Sequence, residues 1–186
     1  ANEEKPLPNE FLLAVPFIKQ APLGNWDEVH GETCEEASVL TVQAYYKKWK
    51  LTDAQVDVKL LELVALQEKM FGYYKDTDVA ETIKFAMKAY GFSKSRVLEK
   101  PTIDELKKEI LAGRPVLFPA DGKALKNPNF KNGGPIYHLI VLRGWNAKGF
   151  FTNDPGTRKG EYYFYIYEIL MGALHDCNKA AHSATG

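Results

Sequence analysis

With 186 residues, 45% of them hydrophobic and 26% charged, the chain has the composition of an ordinary globular domain and is long enough to bury a core without staples. Its 24 Lys and Arg balance 24 Asp and Glu, which argues against a basic nucleic-acid grip and against an acidic disordered tail. No run approaches the roughly 20 apolar residues that cross a bilayer, and the most apolar N-terminal stretch, Phe11 to Ile18, is broken by Pro16. A single domain over residues 1–186 is expected, with no membrane segment. Ala1 is not followed by a basic region and an apolar one, so an export signal is expected to be cleaved or lacking.

Residues 1–33 read as an extended arm, because Pro6, Pro8, Pro16 and Pro22 interrupt every helical pattern and Gly24 and Gly31 add turns. A short strand is expected at Val15 to Ile18. From Cys34 to Lys50, Ala37, Leu40, Ala44 and Tyr45 recur on one helical face, with Gln43, Lys47 and Lys50 on the other. Cys34 falls at the N-terminus of that helix. A second helix begins at Thr52, where Gln55 completes a capping box, and runs through Val56, Leu60, Leu63, Val64 and Gln67 toward Gly72. A third follows Asp76 or Thr77, carries Ala80, Ile83 and Met87, and stops at Gly91. Thr102 and Glu105 box the start of the fourth, whose Leu106 and Ile110 face inward before Gly113 ends it.

Beyond Gly113 the texture changes to β-branched and aromatic runs. These are Val116 to Phe118, Tyr137 to Leu142, Phe150 to Thr152 and Tyr162 to Ile166, separated by Gly, Asn and Pro clusters. Helices first and strands afterwards predict an α+β fold, with a helical part over 34–113 packed on an antiparallel sheet over 114–175. Leu139, Ile140, Val141 and Leu142 are apolar in both parities, so that strand needs cover on both faces, and the first helix is its natural cover.

Two cysteines 143 residues apart do not make a disulfide framework, although one bridge between Cys34 and Cys177 is conceivable. A thiol attacks as thiolate, and a helix N-terminus is one place where its pKa falls. The dipole contributes only about 0.3 to 1 kcal/mol, less than one pKa unit, and Glu35 and Glu36 oppose it. An imidazole must therefore supply the rest. Of the four histidines, His138 is best placed, opening an apolar strand directly after the Gly-rich loop at 127–134; His30 lies in a loop and His182 near the end of the chain. Asp154 suits the third position, because antiparallel pairing about Asn146 sets it opposite His138, although the Asn146 to Gly149 turn needs a bulge to allow that register. Trp26 reads as an aromatic anchor for the arm, and the run Tyr162 to Tyr167 as a twisted strand. His175, Asp176 and Cys177 lack a paired ligand motif, so no metal is expected, nor any nucleotide.

Val15 to Gln20, then Cys34 to Ser38 opening a helix, then Tyr137 to Trp145 and Thr152 to Gly156, together resemble the C39-like peptidase family, of papain-like cysteine peptidase fold. The resemblance spans roughly Val15 to Glu168. It implies Cys34 as nucleophile, His138 as general base, Asp154 as the residue orienting it, and Gln20 as an oxyanion donor beside the Cys34 N–H. Where many members have Cys-Gly-Pro-Ala, this chain has Cys34-Glu35-Glu36-Ala37, a pair of carboxylates that could select basic substrates. The implied function is hydrolysis of a peptide or protein substrate through a thioester acyl-enzyme, by a monomer, without cofactor or metal. The alternatives are transglutaminase-like acyl transfer with the same triad and a catalytically silent peptide-binding domain. A secreted or cell-surface location is implied by the resemblance alone.

Overall fold

The computed structural model describes residues 6–177. Four helices precede every strand but the first: α1 (Cys34–Lys47), α2 (Asp53–Phe71), α3 (Val79–Tyr90) and α4 (Ile103–Leu111). An antiparallel sheet follows, so the fold is α+β as the order of elements predicts. Three of these helices begin with a capping box, at Thr52 and Gln55, Asp78 and Glu81, and Thr102 and Glu105. Each box ties two otherwise orphaned backbone N–H groups, which fixes where the helix can start. The third cap is Asp78, one or two residues later than Asp76 or Thr77. Gly72 and Gly91 stop α2 and α3 in the left-handed conformation that favours glycine.

Five strands form one sheet: β1 (Phe11–Leu12), β2 (Val116–Ala120), β3 (His138–Trp145), β4 (Gly149–Asn153) and β5 (Tyr163–Ile166). β3 is its axis. β1 and β2 lie end to end along one edge of β3, β4 takes the other edge, and β5 pairs outside β4. All eight residues of β3 are buried. One apolar core joins the sheet to α4 and to a fifth helix, α5 (Tyr167–Ala173), through Leu106, Ile110, Phe118, Ile140, Phe150 and Leu170. A second joins α1, α2 and α3 through Leu40, Leu60, Leu63 and Phe85.

Several expectations are corrected. The strand lies at Phe11–Leu12 and not at Val15 to Ile18, because Pro16 cannot join a ladder and the Asn153 carboxamide takes the Val15 and Pro16 carbonyls instead. α1 ends at Lys47, where Lys48 turns left-handed, and Cys34 to Ala44 are all buried. Gln43 is therefore not on a solvated face, since α1 lies between β3 and the α2–α3 pair. α5 follows the last strand, within the part expected to be β. It has no side-chain cap, the signal that marks the other late-starting helices, so the aromatic run into Tyr167 reads as strand alone. Trp26 is 47% exposed and is no buried anchor. No helix among the described residues is long and apolar enough to cross a membrane.

A bulge between Leu142 and Gly144 bends β3 at Arg143. The Arg143 guanidinium is buried. Nε and Nη2 donate to the Leu13 carbonyl at 3.1 and 2.8 Å, Nη1 donates to Asn153 Oδ1 at 3.0 Å, and the group stacks on the Tyr162 ring at 3.8 Å. One cation thus ties the N-terminal arm to both central strands. Arg143→Met keeps the aliphatic stem but leaves Leu13 O with the Val15 N–H at 2.9 Å alone and Asn153 Oδ1 with the Tyr162 N–H at 3.4 Å alone. It should cost about 2–3 kcal/mol, seen as a fall in Tm of roughly 5–10 °C by calorimetry.

Candidate active site

The first turn of α1 sits against the start of β3. Ser38 Oγ donates to the Leu139 carbonyl at 3.0 Å, and the Leu139 backbone N–H acts to lower the Cys34 thiol pKa, against the stronger effects of burial and Glu35. α1 therefore meets the residue that follows His138. Cys34 is 7% exposed, and Cys34 and Cys177 are not joined by a disulfide. The Cys34 Sγ–H donates to Glu35 Oε2 at 3.0 Å. Burial first, and then the neighbouring Glu35 carboxylate, push the thiol well above its ordinary range.

His138 Nε2 meets Asp154 Oδ1 at 2.7 Å, with both side chains buried. The expected facing register is not what joins them. The β3–β4 ladder pairs Val141 with Asn153 and Leu142 with Thr152, so extending it brings His138 opposite Gly156. The chain leaves the strand after Asn153, and Asp154 reaches the imidazole diagonally. Asp154 is held further by the Gly156 N–H on Oδ1 at 3.0 Å and the Tyr165 hydroxyl on Oδ2 at 2.7 Å. Tyr165 Oη accepts in turn from Asn127 Nδ2 at 2.9 Å, and Phe130 stands edge-on to the His138 ring. Asp154 thus takes hydrogen bonds on both oxygens and holds the His138 ring at Nε2.

Gln20 is near the site but differently employed. Its Nε2 donates to the His30 and Gly31 carbonyls at 2.9 and 3.0 Å, so both N–H groups are taken. The Gln20 backbone N–H donates to Pro155 O at 3.1 Å, and its carbonyl accepts from Thr33 Oγ1 at 3.0 Å. One residue thus links the approach to Cys34 with the loop that carries Asp154. His30 is drawn away from the thiol, its Nδ1 2.8 Å from Asp27 and its Nε2 2.9 Å from Asp57. His175 is exposed, and His182 lies outside the described residues.

The family model of the Peptidase_C39 like family matches residues 12–179. The chain belongs to that family. It also superposes on the crystal structure of a protein assigned as a C39-like peptidase from Bacillus anthracis, with a TM-score of 0.57 at 18% identity, over 90% of this chain and 92% of that one. At that identity the likeness speaks for the fold. No curated protein matches the chain significantly.

In this C39-like domain the acidic pair after Cys34 is internal. Glu35 and Glu36 are 1% and 0% exposed, so they cannot meet a substrate in solution as a surface pair would. Glu36 accepts a short hydrogen bond from Gln67 Nε2 on α2. Burial raises Glu35 to about 8 and Glu36 further from its ordinary value, with each carboxylate disfavoured by its acidic neighbours. Tyr165, Asn127 and Gln67 carry no motif that marks them as site residues, whereas Gly156 closes the Thr152 to Gly156 block. The Asp154-Pro155-Gly156 turn is the only local hint, since its glycine sits where a side chain would strike the imidazole.

Two outcomes follow. A group protonated in the fold but ionised in the unfolded chain stabilises below the unfolded pKa and loses that contribution as pH rises through the folded one. Stability should therefore decline from about pH 4.5 through 8, by up to about 1.4 kcal/mol per pH unit for each such group, and Glu36→Gln should flatten the slope in urea melts at stepped pH. A Cβ at Gly156 would lie 2.8 Å from His138 Cε1 and 3.0 Å from Nε2. Gly156→Ala should thus cost about 1–3 kcal/mol and displace the imidazole from Asp154, read from Tm and from the His138 ring signals in NMR.

Proposed function

We propose that this chain is a cysteine peptidase in which Cys34 attacks a peptide carbonyl, His138 transfers the proton and Asp154 orients His138. The observation that carries the reading is the buried 2.7 Å contact of His138 with Asp154, next to Leu139, whose carbonyl accepts from Ser38 in the first turns of the helix that Cys34 opens. With Nε2 held by Asp154, Nδ1 is the nitrogen that accepts the thiol proton as the S–C bond forms. The same proton passes to the leaving amine when the C–N bond breaks. Water then gives a proton to His138 while its oxygen attacks the thioester, and the acid leaves as the proton returns to sulfur. An amine in place of water would give acyl transfer through the same groups.

Because Cys34 is buried against Glu35, the resting nucleophile in this reading is the neutral thiol, and proton removal accompanies attack. The Cys34 N–H, first in α1, has no intrahelical acceptor and is the backbone donor to the oxyanion. Gln20 acts here by anchoring His30 and Gly31 ahead of Cys34. The contact of the thiol with Glu35 is also the one observation that favours a second reading, a silent peptide-binding domain.

Cleavage of a proteome-derived peptide library, followed by mass spectrometry, separates the two. Cys34→Ala should abolish cleavage with Tm preserved, whereas an unchanged cleavage pattern would refute the peptidase reading. Glu35→Gln should raise iodoacetamide alkylation of Cys34 at pH 9, above the Glu35 value of about 8, by about tenfold for each unit by which the thiol pKa falls, as resolved from Cys177 by peptide mapping.

A further inference from the structure

A hydroxyl that both accepts and donates passes on a direction, because its one proton must go where no donor already points. Such a group stands behind Asp154. Asn127 is buried in the loop ahead of His138, and its Oδ1 accepts the Asn129 backbone N–H at 2.9 Å and Asn129 Nδ2 at 3.1 Å. A backbone N–H can only donate, so the atom facing it is the oxygen and the carboxamide cannot be turned over. Asn127 Nδ2 is thereby the group that donates to Tyr165 Oη, at 2.9 Å. The phenol's own proton is left for Asp154 Oδ2, at 2.7 Å. Burial, and then the Asp154 charge, push the phenol upward, so Tyr165 keeps that proton at every working pH.

The direction continues to the imidazole. Asp154 Oδ2 receives the phenol proton and Oδ1 receives the Gly156 N–H at 3.0 Å, so both oxygens are already accepting. A carboxyl proton would have a place only on Oδ1, toward His138 Nε2 at 2.7 Å, where it faces the stronger base. The same loop also holds the ring from outside, since Phe130, three residues after Asn127, stands edge-on to His138 with centroids 5.2 Å apart.

Resting on the proposed role of His138 as the base for Cys34, we propose that Tyr165 and Asn127 are positioning residues for this chemistry: a one-way run of donors, from the Asn129 backbone through Asn127 and Tyr165, holds Asp154 as an acceptor and keeps the neutral imidazole protonated on Nε2. The Nδ1 lone pair is then the one left to take the thiol proton. Neither residue touches the reacting atoms or exchanges a proton during the cycle. Without the relay Asp154 is free to hold a proton and donate it to Nε2, which moves the ring proton to Nδ1 and blocks the base.

Nitrogen NMR of the full chain, labelled in its histidine rings, reads the tautomer, with the His138 signals assigned by their loss in His138→Gln. At about pH 9, where an ordinary imidazole is neutral, wild-type His138 should carry its proton on Nε2. Tyr165→Phe removes the donor, and Asn127→Asp, of the same shape, draws the phenol proton away from Asp154. Each should lower the Nε2–H share to about a tenth, and the initial rate of peptide-library cleavage about tenfold with it, since only the competent tautomer turns over. A merely structural role would lower Tm in both variants and leave the tautomer where it was; that result overturns the proposal, as does a wild-type proton on Nδ1. Should Asn127→Asp not fold, Tyr165→Phe decides alone. Wild-type protein that cleaves nothing, while its ring proton follows the relay, overturns the peptidase reading and the purpose assigned to the relay with it. Cleavage with an unmoved tautomer overturns the relay alone.

Discussion

Everything in this fold answers to the burial of β3. A strand apolar in both parities loses stability if either face or either edge meets water, and eight consecutive buried residues leave no such face. α1 covers one side, α4 and α5 help to close the other, β4 takes one edge, and β1 with β2 divide the second. Because α1 must pack on β3, its first turn arrives at the strand's first residues. The first turns of α1 and the start of β3 meet by packing, as the Ser38 to Leu139 hydrogen bond shows. Arg143, bending the strand and gripping Leu13 and Asn153, carries the N-terminal arm into the same arrangement.

The site divides its carboxylates into two electrostatic kinds. Asp154 is buried with each oxygen supplied: His138 and the Gly156 N–H on one, the Tyr165 hydroxyl on the other. Both of its oxygens are held by hydrogen bonds. Glu35 and Glu36 are equally buried, yet each keeps one oxygen without a partner and each faces other acids. Protonation is the cheaper answer for them, and the thiol beside Glu35 is held toward its neutral form by the same field. A helix N-terminus alone cannot offset this, its dipole being worth about 1 kcal/mol against the desolvation of a buried charge. The burden of activating Cys34 therefore rests on the imidazole in the proposed mechanism.

The local chemistry of the chain by itself determined the helix starts at Thr52 and Thr102, the stops at Gly72 and Gly91, the succession of helices and then strands, and the need to cover Leu139 to Leu142 twice. Each of these is decided within about five residues, by a cap that satisfies orphaned N–H groups, a glycine that accepts a left-handed turn, or a periodicity of two. The motifs around Cys34, His138 and Asp154 were legible for the same reason. What only the tertiary structure decided is everything that depends on groups far apart in sequence sharing one buried volume. The carbonyls that claim Gln20 are ten and eleven residues away, the hydroxyl on Asp154 comes from β5, and the acids after Cys34 are shut inside by α2 and β3. A bulge at Arg143 moved the register by which His138 meets its partner, and no propensity announces a bulge. Desolvation and hydrogen-bond competition are properties of the packed interior, so residue types alone could nominate the site but could not say which donors and charges it keeps.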